Sequence, residues 1–244
     1  MAFKRKPPSG NVRRVVSLGN NWRGVTTNKQ GRLIQFESEQ EHKLILLLER
    51  DPTVVDYISQ PETLSFRDAN GRQRIYTPDF QVWRTDGRIE LHEVTVEARR
   101  QNHLSLQERE AMAQNVCQQR GWQYVLHTDY TLPSGYYYAN LDFLSPFRAQ
   151  TYADAHLASW WLTHLSGSTP IQPQFLLSYA QPGLAHGLLL NTLYYLLWHD
   201  RVQMDWQRPL IWRGALHAAA RVWLSSTASP SAICVQEQHK EVDL

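Results

Sequence analysis

Lysine is scarce in this chain: the five lysines stand at positions 4, 6, 29, 43 and 240, and only Lys43 falls within residues 36–147. Cysteine is scarcer still, with Cys117 and Cys234 far apart and without metal-ligand spacing. That spacing excludes a disulfide framework or a zinc knuckle. No apolar run is long enough to cross a bilayer, and the opening residues lack the apolar stretch of a secretory signal. The expectation is a cytoplasmic protein with no membrane partner. Acids are missing altogether from residues 1–32, which carry eight basic side chains. That segment is therefore +8, leaving the remainder at −6 against +2 for the whole chain. A basic arm ahead of an acidic body suits a polyanion such as DNA, with Lys4, Arg5, Lys6, Arg13 and Arg14 as candidate contacts. A solubilising terminus is the plain alternative.

The 244 residues are enough for one large domain or two small ones, each with a core. Residues 36–52 read as a helix ending before Pro52, with Ser38 as N-cap and Glu41 completing a capping box. Segments 63–68 and 72–77 flank Asn70-Gly71, a hairpin signal. Two further strands meet at Asp86-Gly87, residues 107–121 form a helix stopped by Gly121, and 122–128 read as a strand. This order makes an α/β domain with a mixed sheet flanked by helices. Beyond a boundary near 145–150 the pattern turns mainly helical, over 152–166, 173–180 and 184–199. A short strand pair within 201–212 and a last helix over 214–224 follow. Helices followed by a small β-wing give a winged-helix-like outline; a plain helical domain is the alternative. The expected division is a basic arm (1–35), an α/β domain (36–147), a winged-helix-like domain (150–224) and a tail (225–244).

Asp79 and Glu93 stand in strand-favouring surroundings, where carboxylates are uncommon. If Thr85-Asp86-Gly87 is a three-residue loop, Arg84 pairs with Arg88 and Asp79 falls opposite Glu93 on the same face. Their Cβ atoms would then be about 4.5–5.5 Å apart. A two-residue loop would put them on opposite faces. Two carboxylates that close call for a shared proton or a cation, and oxygen donors suit Mg²⁺ or Mn²⁺. Glu41 is the third candidate acid, with Glu37 behind it, although the capping box alone accounts for a glutamate at 41.

The Ser-x-x-Glu helix start, Gln60-Pro61, the run Tyr76-Thr-Pro-Asp79-Phe80 and the acid-Val pair at Glu93-Val94 together resemble the PD-(D/E)XK nucleases. More narrowly, residues 36–132 resemble the TnsA-like endonuclease subunits of heteromeric cut-and-paste transposases. The resemblance implies a PD-(D/E)XK-type fold and metal-dependent cleavage of one DNA strand at each transposon end. It also implies two partners, a TnsB-like transposase and a TnsC-like AAA+ ATPase regulator. Carried onto this chain, it assigns Glu41, Asp79 and Glu93 as the acids and the Val94 carbonyl as a further metal ligand. The chain departs from the pattern at Thr95, where the resemblance calls for a lysine. Lys43 lies about 200° around the helix from Glu41 and points away; Arg99 and Arg100 are the cations nearest in sequence. A non-cleaving scaffold of the same assembly, or an unrelated restriction or defence nuclease, are the competing expectations.

Overall fold

A computed structural model describes residues 22–67, 70–167, 169–180 and 185–224. It divides into two compact units, Met1–Ser134 and Gly135–Leu244. The first opens on strands β1 (Gly24–Thr27) and β2 (Leu33–Phe36), an antiparallel hairpin. Helix α1 (Glu39–Arg50) follows, and its start is chemically fixed. The Ser38 hydroxyl accepts from the Glu41 N–H at 3.1 Å and donates to the Glu41 carboxylate at 2.9 Å. That carboxylate also accepts from the Glu37 N–H at 2.9 Å, closing the box.

Strands β3 (Val54–Ser59), β4 (Leu64–Arg67), β5 (Gln73–Tyr76), β6 (Phe80–Arg84) and β7 (Ile89–Thr95) come next. Helices α2 (Glu97–Asn102) and α3 (Leu104–Arg120) then lead to β8 (Gln123–Thr128). Strands β4 and β5 pair as the expected hairpin. The main sheet has the order β3-β6-β7-β8, antiparallel except for the parallel β7–β8 pair. It is mixed, as expected, and the crossover into the parallel strand runs through α2 and α3. One face holds a core of Ile34, Phe36, Leu44, Ile45, Leu48, Tyr57, Phe80 and Val82 against α1. The other holds a smaller core of Leu64, Tyr76, Leu91, Ala113 and Cys117 against α3. Gly121, left-handed at φ 68°, ends α3 as its sequence requires.

The second unit begins with α4 (Gly135–Leu144) and continues through α5 (Ala155–His164), α6 (Pro173–Ser178) and α7 (His186–Trp198). Strands β9 (Val202–Met204), β10 (Ile211–Trp212), β11 (Ala215–Leu216) and β12 (Val222–Leu224) complete it, pairing as β9–β12 and β10–β11. Buried Asn140 on α4 donates to the carbonyls of Trp206 and Arg208 and accepts from the Leu210 N–H, fixing the strand region to the helix.

Several expectations change. The helix over 214–224 is two strands: Arg213 and Gly214 have φ of 50° and 80°, and consecutive left-handed residues turn a chain rather than extend a right-handed helix. Residues 24–36 are a hairpin, not an arm. Ile34 and Phe36 enter the core, Lys29 bonds the carbonyls of Asp51 and Val54, and Arg32 pairs with Asp56 at 3.2 Å. The units divide before α4, ahead of the expected 145–150 boundary. Lys4, Arg5, Lys6, Arg13, Arg14 and the 225–244 tail lie outside the described residues.

Candidate active site

Gly87 (φ 84°) gives the β6–β7 turn its left-handed residue, and Arg84 donates to the Arg88 carbonyl at 2.9 Å across it. Thr85-Asp86-Gly87 is thus a three-residue loop. The register runs Trp83↔Ile89, Val82↔Glu90, Gln81↔Leu91 and Phe80↔His92. One step outward, Asp79 falls opposite Glu93. The acids exchange backbone contacts across the strands: the Val94 N–H donates to Asp79 Oδ2 at 2.8 Å, and the Asp79 N–H donates to the Glu93 carboxylate. The Gln60 N–H donates to the Asp79 carbonyl at 2.8 Å, so the Gln60-Pro61 corner holds Asp79 in place.

Glu93 and Thr95 share a face of β7 because side chains alternate. Both line a cleft with Tyr76, Tyr124, Arg100 and Arg109. The Tyr76 hydroxyl donates to Glu93. Burial of the Glu93 carboxyl pushes its pKa up to about 7, and the charge of Glu41 adds to the rise, against the Tyr76 hydrogen bond and the Arg109 charge. Burial and the charge of Glu93 likewise raise Tyr76 and Tyr124 far above the usual phenol range.

The other face of β7 holds a different set. His92 donates to Glu90 at 2.8 Å and shares a hydrogen bond with His127 at 2.9 Å. Arg84 joins Glu90 to Asp51. The His92 hydrogen bond, with Arg84 behind it, lowers Glu90 to about 2, while burial and the charge of His92 lower His127 to about 4.

The sequence-derived residues therefore separate. Asp79, Glu93, Val94 and Thr95 are brought together. Glu41 is near enough for its charge to act on Glu93, but its carboxylate is turned into its own helix cap. Among the described residues no three of His, Cys, Asp and Glu gather into a ready metal cage. Mg²⁺ usually takes one or two protein carboxylates and keeps several waters, so the Asp79–Glu93 pair fits it without a third acid. Arg100 is tied to Glu97 and Glu110 at 3.2 and 2.8 Å, and Arg99 is exposed. Sequence reasoning missed Tyr76, Tyr124 and Arg109. The signal for Arg109 is helical spacing: it stands four and eight residues before buried Ala113 and Cys117, on the stripe that faces the sheet.

Residues 51–129 match the family model described as TnsA-like endonuclease N terminal. The resemblance to TnsA-like endonucleases read from the sequence is borne out over this segment, which is similar to their N-terminal domain. Asp79, Glu93, Val94 and Thr95 lie inside the match; Glu41 precedes it. A search of curated proteins finds no match to the chain. Among the described residues no helix is long and apolar enough to cross a membrane.

Proposed function

We propose that the chain is the DNA-cleaving subunit of a cut-and-paste transposase, hydrolysing one strand at each transposon end in the cytoplasm. The observation that carries this reading is the cross-strand seating of Asp79 and Glu93 within the TnsA-like segment. Asp79, Glu93 and the Val94 carbonyl would hold Mg²⁺ or Mn²⁺. The bound ion would acidify water and offset charge on the phosphate and leaving oxygen. The chain's own contribution is positional. The Val94 and Asp79 N–H groups aim the two carboxylates, Tyr76 fixes the Glu93 rotamer, and Thr95 offers a hydroxyl to the attacking water. Glu41 acts through its charge on Glu93. The extreme N-terminal basic residues Lys4, Arg5, Lys6, Arg13 and Arg14 contact the DNA backbone. The second unit is a winged-helix-like module whose partners are a TnsB-like transposase and a TnsC-like AAA+ ATPase.

Thr95, uncharged where the resemblance calls for lysine, favours a second reading: a scaffold that binds DNA in the same assembly without cutting it. A plasmid carrying the element's ends, incubated with the full chain and its partner transposase in Mg²⁺ or Mn²⁺, separates the two. Strand cleavage that disappears in EDTA and in Asp79→Ala is expected. Robust transposition by the Asp79→Ala protein would establish the scaffold instead.

A further inference from the structure

Hydrolysis of a phosphodiester gathers negative charge where Asp79 and Glu93 already place two carboxylates. Thr95 has no charge to offset it. Three arginines are near in sequence or space, and they are not equivalent. Arg99 is exposed, and Arg100 is locked between Glu97 and Glu110. Arg109 is half-buried, lines the cleft beside Glu93 and Thr95, and makes no hydrogen bond or ion pair among the described residues. It comes from the middle of α3's first half, where Leu106 and Ala113 on the same stripe pack toward the sheet. The helix therefore fixes the direction of its stem. Across the cleft the Tyr124 hydroxyl is buried and has no hydrogen-bond partner among the described residues. A buried hydroxyl without a partner costs stability until an acceptor arrives. A cation on a fixed helix stem and a hydroxyl without a partner line one cleft with Glu93 and Glu110, and the two can donate together to an anion with several acceptor oxygens.

We infer that Arg109, with the Tyr124 hydroxyl, binds the scissile phosphate of the DNA strand in the Glu93–Thr95 cleft and stabilises its charge during hydrolysis. This rests on the nuclease reading. Water oxygen bonds to phosphorus and gives up one proton to solvent as the bond to the leaving sugar oxygen breaks, and the leaving oxygen takes a proton from solvent. Arginine holds its proton throughout, so it acts as a clamp and neither as acid nor as base. Its planar fork can meet two phosphate oxygens at once, which a single ammonium cannot.

The test uses the full chain with its partner transposase and a plasmid bearing the element's ends. Arg109→Gln, near in size and uncharged, is expected to lower the single-turnover cleavage rate by about 10²–10³-fold, the usual cost of removing one donor to a developing charge. Its melting temperature and the upward shift of that temperature by Mg²⁺ should match wild type. Arg109→Gln combined with Thr95→Lys should regain much of the rate, because a cation returns to the same cleft. Tyr124→Phe should lower the rate by a smaller factor. Arg120→Gln serves as the contrast: it breaks the ion pair with Glu62, outside the cleft lining, and should leave the cleavage rate of the folded protein within a few-fold. Cleavage by Arg109→Gln equal to that of an active wild type would overturn the arginine assignment alone. A wild type that does not cleave in either metal overturns the assignment together with the nuclease reading.

Discussion

On the α1 face of β7, Glu90 is encircled: His92 and Arg84 donate to it, and its carboxyl is held near 2. Three residues on, on the α3 face, Glu93 has a tyrosine hydroxyl, one backbone N–H and a second acid nearby, and sits near 7. Both acids belong to one strand, and both are largely shut off from water. The difference lies in whether the fold completes the charge. At Glu90 it does, through Asp51–Arg84–Glu90–His92, and the result is structure. At Glu93 it does so only in part: the Tyr76 hydroxyl, the Asp79 N–H and the nearby Arg109 charge do not offset the burial, and a carboxyl in that state can still take a cation.

The sharpest way to break this comparison is to neutralise each acid in turn. Glu93→Gln is expected to abolish cleavage, since the metal site loses half of its carboxylates, while the protein melts no lower than wild type at pH 8. Mg²⁺ should then cease to raise the melting temperature, because the ion no longer binds the native state. Glu90→Gln should do the reverse. Breaking one side of a buried charge network costs about 3 kcal/mol, read from urea unfolding, with cleavage by the remaining folded protein retained.

pH gives opposite slopes at the two acids. Glu90 has a folded-state pKa below its ordinary 4.5, so its stabilisation is full above about 4.5 and is lost as pH falls toward 2. Glu93 is raised from 4.5 to about 7, so without metal it subtracts stability as pH climbs through that window. Unfolding midpoints in EDTA should therefore fall on both sides of pH 4.5. Glu93→Gln flattens the upper limb, and Glu90→Gln flattens the lower one. Two limbs unaffected by either variant would show that the contrast between the faces is not electrostatic.

The smallest effect concerns Glu41. Ser38→Ala removes the N-cap acceptor at an expected cost of about 1 kcal/mol by urea unfolding. Glu41→Gln keeps the capping box while removing the charge. It should leave stability nearly unchanged and lower cleavage by about 10–100-fold, the scale of residues that act on metal ligands from behind. Cleavage unaffected by Glu41→Gln would assign that glutamate to the cap alone.

The hairpin that pairs Asp79 with Glu93 was legible because turn chemistry is local: Asp86-Gly87 fixes the loop, and the loop fixes the register. The Ser38–Glu41 cap and the Gly121 stop were legible for the same reason. Strand β3 was not read from the sequence, because the register shift between Val54 and Asp56 breaks the alternation that marks a strand. The β1–β2 hairpin was hidden behind the basic charge of the first 32 residues, three of whose cations prove to be near or within it. Arg109 was not legible because nearness along the chain points to Arg99 and Arg100, whereas Arg109 stands fourteen positions beyond Thr95 and reaches the cleft from α3. The cation arrives through tertiary structure, from a helix face that it shares with Leu106, Glu110 and Ala113.

Cys117 lies in the small core beneath α3, its thiol buried and held above the usual pKa by that burial. An alkylating reagent can reach it only when the helix lifts from β7. Its labelling rate, followed by peptide mass mapping so that Cys234 is counted separately, is therefore a clock for that opening. Arg109 and Cys117 ride on one helix, two turns apart. Substrate that clamps the first should slow the clock at the second, so a thiol with no part in the chemistry reports occupancy of the cleft in a protein that need never turn over.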